Sequence, residues 1–207
     1  MRTFVYVDGF NLYYGALRKS PWKWLDLYRL FETILQPHHD LLAINYFTAR
    51  VSRTPNDPSK PQRQAAYIRA LQQFRPEVSV HYGHFLTHAV SAPLANPQGP
   101  DRFAKVIKTE EKGSDVNLAV HLLNDAWLDR YDCAVVVTND SDIAEAMQLV
   151  RHQQQKRIGL ITPGKSPSSR QLTTHAHFRA RIRPGVLAHS QLPDPIPGTN
   201  IRKPLSW

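Results

Sequence analysis

The strongest constraint on this chain is the regular alternation of short apolar runs with longer helical patterns. Segments 4–7, 43–47, 78–82, 134–137 and 158–161 are short, β-branched or aromatic, and read as five strands. Between them, segments 27–35, 62–74, 114–128 and 142–152 carry apolar residues at helical spacing. A helix between successive strands returns the chain to the end from which it started, so neighbouring strands run the same way. The expected fold class is therefore α/β, with a mostly parallel sheet of about five strands covered by helices on both faces.

The 207 residues suffice for one substantial α/β core. Residues 1–183 are expected to form that domain, and 184–207 an irregular, Pro-rich basic tail containing Pro193, Pro195, Pro197 and Pro204. Residues 87–102, with Pro93, Pro97 and Pro100, read as a loop that would lie over a site as a lid. The apolar run at 3–7 is too short for a signal peptide, and no later run reaches membrane-spanning length. The lone Cys133 sits in an apolar run and reads as a core residue, so a reducing cytoplasm and no membrane association are expected. A formal charge of +9 and a pI of about 9.8 favour a polyanionic partner.

Four aspartates lie where strands give out or helices begin. Asp8 follows the first strand and precedes Gly9, Asp140 and Asp142 follow the fourth strand, and Asp115 sits in the first turn of the third helix after Lys112-Gly113-Ser114. That helix is expected to bury Val116, Ala119, Val120, Leu123 and Trp127. Ligands of open parallel sheets gather beyond the carboxyl ends of the strands, so Asp8 and Asp140 converge if their strands are neighbours. Several carboxylates in one place repel each other, and a hard divalent cation relieves the repulsion. Taken singly, aspartates at helix starts are ordinary caps; the joint pattern carries the functional reading.

The stretches at 5–17 (VYVDGFNLYYGAL), 110–123 (EEKGSDVNLAVHLL) and 135–147 (VVVTNDSDIAEAM), with WKWLDL at 22–27 and YFTARV at 46–51, resemble the NYN family. This family is also called LabA-like and lies within the PIN-like nuclease superfamily. The resemblance covers about residues 3–180 and implies a three-layer α/β/α Rossmann-like fold that hydrolyses RNA with Mg²⁺ or Mn²⁺. On this basis Asp8, Asp115, Asp140 and Asp142 are the catalytic candidates, with Asp8, Asp115 and Asp140 as metal ligands. Asn11 and Ser141 become candidates for holding a ligand or phosphate. His121 stands where many relatives have a further aspartate, and Asn139 where many have glycine.

The expected partner is RNA, single-stranded or structured, with a homo-oligomer also open. Phosphate contacts are expected from Arg50, Arg63 and Lys112, with Arg53 and Lys60 in the same basic stretch. Tyr13, Tyr14, Trp22 and Trp24 either stack on unpaired bases or pack the core. Two other function classes compete: a non-catalytic RNA-binding or regulatory module of the same fold, and a nucleotide-binding protein using the P-loop-like run 159–166 (GLITPGKS). The second lacks a strand placed just before the glycine-rich turn. His175 and His177 lack the further ligands of a zinc site.

Overall fold

A computed structural model describes residues 1–97 and 99–207. At its centre β1 (Arg2–Asp8) pairs in parallel with β2 (Asp40–Ala49) on one side and β5 (Cys133–Val137) on the other. β3 (Val78–Pro93) extends the β2 side, and β6 (Arg157–Thr162) and β7 (Phe178–Arg181) extend the β5 side, all in parallel. β4 (Phe103–Lys112) closes the far edge antiparallel to β3, giving seven strands in the order β4-β3-β2-β1-β5-β6-β7. The sheet is thus larger than the five strands expected.

The residue alternation of β1 and β5 divides the interior into two layers. Val5, Val7, Cys133, Val135 and Val137 face one core, which is filled from α2 (Leu27–Ile34), α3 (Lys60–Phe74) and α7 (Pro184–His189) by Leu27, Leu30, Phe31, Tyr67, Leu71 and Leu187. Tyr6, Ala134 and Val136 face the other, filled from α4 (Ser114–Trp127), α5 (Ala144–His152) and α6 (Arg170–His175) by Leu118, Leu122, Met147, Val150 and Leu172. Helices on both faces make three layers.

Three sequence readings are corrected. Residues 87–93 are strand, not loop: from Thr87↔Thr109 to Pro93↔Phe103 the ends of β3 and β4 form an antiparallel ribbon. Pro93 sits at the end of its strand and Pro97 and Pro100 lie in the connection, so no proline interrupts the ladder. Gln98, within the expected lid, lies outside the described residues.

On α4 the apolar stripe expected to be buried is split: Ala119 and Leu123 pack partly buried against the core, and the other three members point outward. Val116, Val120 and Trp127 are exposed, while Leu118, Leu122 and Ala126 are buried together with Asp125. The side chain that misleads the periodicity is Asp125, whose charge is offset in the interior by Arg130 at 2.9 Å and by the Tyr6 hydroxyl at 2.8 Å.

Residues 184–207 do not form a poorly packed tail. Pro184 starts α7, the Leu192 amide donates to the Trp24 carbonyl at 2.8 Å, and the Trp24 indole donates to the Pro193 carbonyl at 3.0 Å. Leu187, Leu192 and Ile196 belong to the core, and the Trp207 ring packs edge-on against Trp24 and Tyr67. Ile196→Ala is therefore expected to lower unfolding free energy by about 2–4 kcal/mol in urea denaturation, the range for truncating a buried aliphatic side chain. A loosely attached tail would lose less than about 0.5 kcal/mol, as surface substitutions do.

Candidate active site

The strand order reverses direction at β1. The chain builds outward through β2, β3 and β4, then crosses back along α4 to place β5 on the opposite side of β1. The carboxyl ends of β1 and β5 therefore border a switch point, the crevice where open α/β sheets receive ligands. Asp8 is the last residue of β1, and Asp140 stands three residues beyond the end of β5.

Immediately after Asp8 the chain turns into α1 (Gly9–Leu12) and a π-helical turn at Tyr13–Leu17. Gly9 is required there by space: a Cβ would stand 2.6 Å from the Phe47 carbonyl oxygen and 2.7 Å from the Tyr46 ring. Asp8 caps the new helix, one carboxylate oxygen accepting from the Asn11 amide at 2.9 Å. Its other oxygen accepts from the Thr138 hydroxyl at 2.9 Å. The residue is only 4% exposed, and burial raises its pKa above the usual carboxylate value against the pull of these donors, with a smaller contribution from the Asp140 charge.

Thr138 also ties the two acidic loops together. Its Oγ1 donates to Asp8 and accepts from the Asp140 amide at 3.1 Å. Asp140 in turn caps the short 3-10 turn Ser141–Ile143, accepting from the Asp142 amide at 3.0 Å. Asn11 reaches across the crevice, its side-chain oxygen accepting from the Asn139 amide at 3.1 Å. Asn139 then binds the loop after β6, accepting from the Ser169 amide at 2.8 Å and donating to the Pro167 carbonyl at 3.0 Å. A glycine at 139 could not make those two side-chain bonds, which gives this departure from the family pattern a structural role.

Asp115 enters from the first turn of α4, where the left-handed Gly113 ends β4. Burial pushes its pKa up to about 6, followed in order of effect by the charges of Asp8, Asp140, Glu111 and Asp142. The four aspartates singled out in the sequence thus share one electrostatic neighbourhood. Among the described residues none of the four pairs with a cationic side chain within 4.0 Å. Nor, among them, do any three His, Cys, Asp or Glu side chains gather tightly enough to enclose a metal ion by themselves.

The other candidates divide. Ser141 and Asp142 are exposed beside Asp140, and Asn11 is partly buried as a brace. Arg50 lies 4.8 Å over the Tyr82 ring, and Lys112 pairs with Glu110 at 3.3 Å. Arg63 pairs with Asp57 and accompanies Lys60 in a slot lined by Gly9, Phe10, Tyr13, Tyr14, Tyr46 and Tyr67. Trp24 is buried in the core and so is no stacking platform, and Trp22 is partly buried and packed against that core. His121 faces His81, ring centroids 4.1 Å apart, over Phe47. The P-loop reading fails on topology: Gly159 lies inside β6, and no helix begins until Arg170. Thr138 is the residue the sequence reading missed; a buried threonine after an apolar strand carries no signal until its neighbour across β1 is known.

The NYN domain profile matches residues 2–180. The chain belongs to the NYN domain family. The 6-hydroxy-3-succinoylpyridine 3-monooxygenase HspA of Pseudomonas putida (strain DSM 28022 / S16) is 38% identical over 237 aligned residues, spanning 100% of this chain and 75% of that protein. A crystal structure of a protein of unknown function from Vibrio parahaemolyticus RIMD 2210633 superimposes with a TM-score of 0.55 at 17% identity, covering 88% of this chain and 93% of the other. That likeness concerns the fold. The NYN family membership accords with the nuclease-like architecture, and no helix among the described residues is long and apolar enough to cross a membrane.

A raised aspartate pKa has a definite sign in stability. Folded Asp115 holds its proton to about pH 6, whereas an unfolded aspartate releases it near 3.8, so stability falls as pH rises through that window. Asp115→Asn removes the penalty. In metal-free buffer at pH 7.5 the variant is expected to melt a few degrees above the wild type, on the order of 1 kcal/mol after solvent screening. The difference should shrink as pH falls and vanish below about pH 3, where the carboxyl is protonated in both states. Equal melting temperatures at both pH values would show that neither burial nor the neighbouring carboxylates raise the Asp115 pKa in the folded state.

Proposed function

We propose that this NYN protein is a metal-dependent ribonuclease that hydrolyses RNA phosphodiester bonds at the carboxylate cluster between β1, β5 and α4. The observation carrying the reading is the convergence of Asp8, Asp115, Asp140 and Asp142 at the switch point with, among the described residues, no cationic side chain paired to any of them within 4.0 Å. Such a set favours a cation whose remaining ligands come from outside the protein. Mg²⁺ and Mn²⁺ fit this all-oxygen donor set, because Mg²⁺ is commonly held by one or two carboxylates together with waters and substrate phosphate. When bound, such an ion supplies charge neutralisation and an acidified water.

Asp8 and Asp140 would hold the ion, with Thr138 and the Asn11 amide fixing the Asp8 carboxylate. Asp115, with its pKa near 6, suits a second ligand position or acceptance of a proton from the attacking water. Asp142 lies at the exposed rim of the cluster, where it orients solvent or completes the ligand set. Under this reading Ser141 and Asn11 would contact the scissile phosphate, and Arg50, Lys112 and Arg63 would position the strand through its backbone. The net charge of +9 favours approach of the polyanion.

A second reading is favoured by the 38% identity, over the whole chain, to a protein named as a pyridine monooxygenase. Under it, the chain hydroxylates an aromatic ring: one atom of dioxygen enters the ring, and the other leaves as water after a reductant supplies two electrons. The aromatic slot beside Asp8 fits a ring substrate under this reading.

Labelled single-stranded and structured RNA incubated with Mg²⁺, Mn²⁺ or EDTA distinguishes the two. Cleavage is expected with the cations and not with EDTA, and Asp8→Asn and Asp140→Asn should each slow it roughly 100-fold, the upper end of what even residues behind the ligands cost. Cleavage persisting in EDTA and in both variants would overturn the ribonuclease reading. Absence of cleavage together with reductant-dependent dioxygen uptake on 6-hydroxy-3-succinoylpyridine would establish the second.

A further inference from the structure

Beside the carboxylates, on the face of the sheet covered by α3, lies a narrow slot of about 80 Å³. Its walls are aromatic: Phe10, Tyr13, Tyr14, Tyr46 and Tyr67 come from α1, the π-helical turn, β2 and α3, and Trp207 closes one side. The volume is far below the ~300–1,000 Å³ of sites for large ligands and cofactors. A single planar ring is the size of guest it accommodates, and a dinucleotide or flavin is not.

The slot is also cationic on one side. Lys23, Lys60 and Arg63 line it, and among the described residues neither lysine has a carboxylate partner within 4.0 Å. Arg63 pairs with Asp57 through one terminal nitrogen and with Ser59 through the other, while its Nε is buried without an acceptor. Arg63 therefore brings its positive charge to the slot with both terminal nitrogens engaged within the protein, and Lys60 is the cation beside it with no carboxylate partner among the described residues. Gln64, by contrast, is fully committed: its oxygen accepts from the Val51 amide at 3.0 Å and its nitrogen donates to the Ala49 carbonyl at 2.9 Å, holding α3 against the end of β2. The slot is therefore held open by the fold.

We propose that this slot binds one planar aromatic ring bearing an anionic group, the ring against the tyrosines and the anion on Lys60. Aromatic faces supply ring contact, and the Lys60 ammonium, reinforced by the nearby Arg63 charge, supplies a point charge for a carboxylate or phosphate. The same chemistry is presented by a free aromatic acid and by a pyrimidine nucleotide at the end of an RNA strand. The inference deepens the second reading, which already uses this slot for a ring substrate, and adds the anionic group and the residue that receives it; it does not depend on the ribonuclease reading.

The test is calorimetric titration in EDTA with nicotinate, nicotinamide, uridine 5′-monophosphate and adenosine 5′-monophosphate. At least one anionic single-ring probe is expected to bind saturably, with neutral nicotinamide and the two-ring purine nucleotide each at least tenfold weaker than that probe. Preference for nicotinate identifies a free aromatic acid as the source, and preference for the uridine nucleotide identifies a strand end. Tyr14→Ala, at a position 55% exposed, and Lys60→Met should each weaken the better probe at least fivefold while the melting temperature stays within a degree or two. No saturable binding by either anionic ring, equal binding of nicotinamide, or binding unaltered in both variants would overturn the proposal. Because EDTA is present throughout, the result is independent of whether RNA is cleaved.

Discussion

The pairing of β1 with β5 is the constraint from which the site follows. These are the two central strands, and their facing register, from Thr3↔Cys133 to Val7↔Val137, places the residues after Val137 directly across from Asp8. Thr138 can then donate to a carboxylate 130 positions away in the chain while accepting from the Asp140 amide. If β5 slipped by one residue, its alternating faces would exchange cores and the Thr138 hydroxyl would leave the crevice. Burial of Val135 and Val137 on one side and Ala134 and Val136 on the other opposes that slip. Hydrophobic register thus sets the geometry of the acidic site.

The same arrangement concentrates negative charge in a protein of net positive charge. Asp8 is buried at a helix start, where amide donors partly offset its desolvation, whereas Asp115 receives no such compensation and titrates near pH 6. Other buried aspartates are treated differently: Asp26 meets Arg75 and Asp125 meets Arg130. The fold therefore neutralises buried acids where they are structural and leaves the switch-point acids to each other. Burial and like charge are set against stability at that place, a common feature of functional sites.

Much of the architecture is legible in the chain because local physics decides it. Five strands of the sheet announce themselves as short apolar runs, and Asp8, Asp115 and Asp140 mark transitions that strand and helix ends make recognisable. The ribbon of β3 and β4 is less legible, since one strand ends at a proline and both are largely exposed, so composition resembles that of a loop. On α4 the obvious stripe containing Val116, Val120 and Trp127 is the wrong face, because two long-range bonds from Tyr6 and Arg130 make Asp125 an interior residue. The proline-bearing C-terminal segment misled for a related reason: its prolines break regular structure without preventing Leu192 and Ile196 from reaching the core.

From the sequence alone come the α/β class, the resemblance to NYN proteins, the four acidic positions and the net positive charge, all of which depend on composition or on neighbours within a few residues. Only the tertiary structure decides that β1 and β5 are adjacent, that Thr138 and Asn139 bind the acidic loops together, and that Arg63 joins the tyrosines in a slot beside them. Each of these links residues far apart in the chain, and such contacts exist only once the hydrophobic layers have chosen the strand order and register.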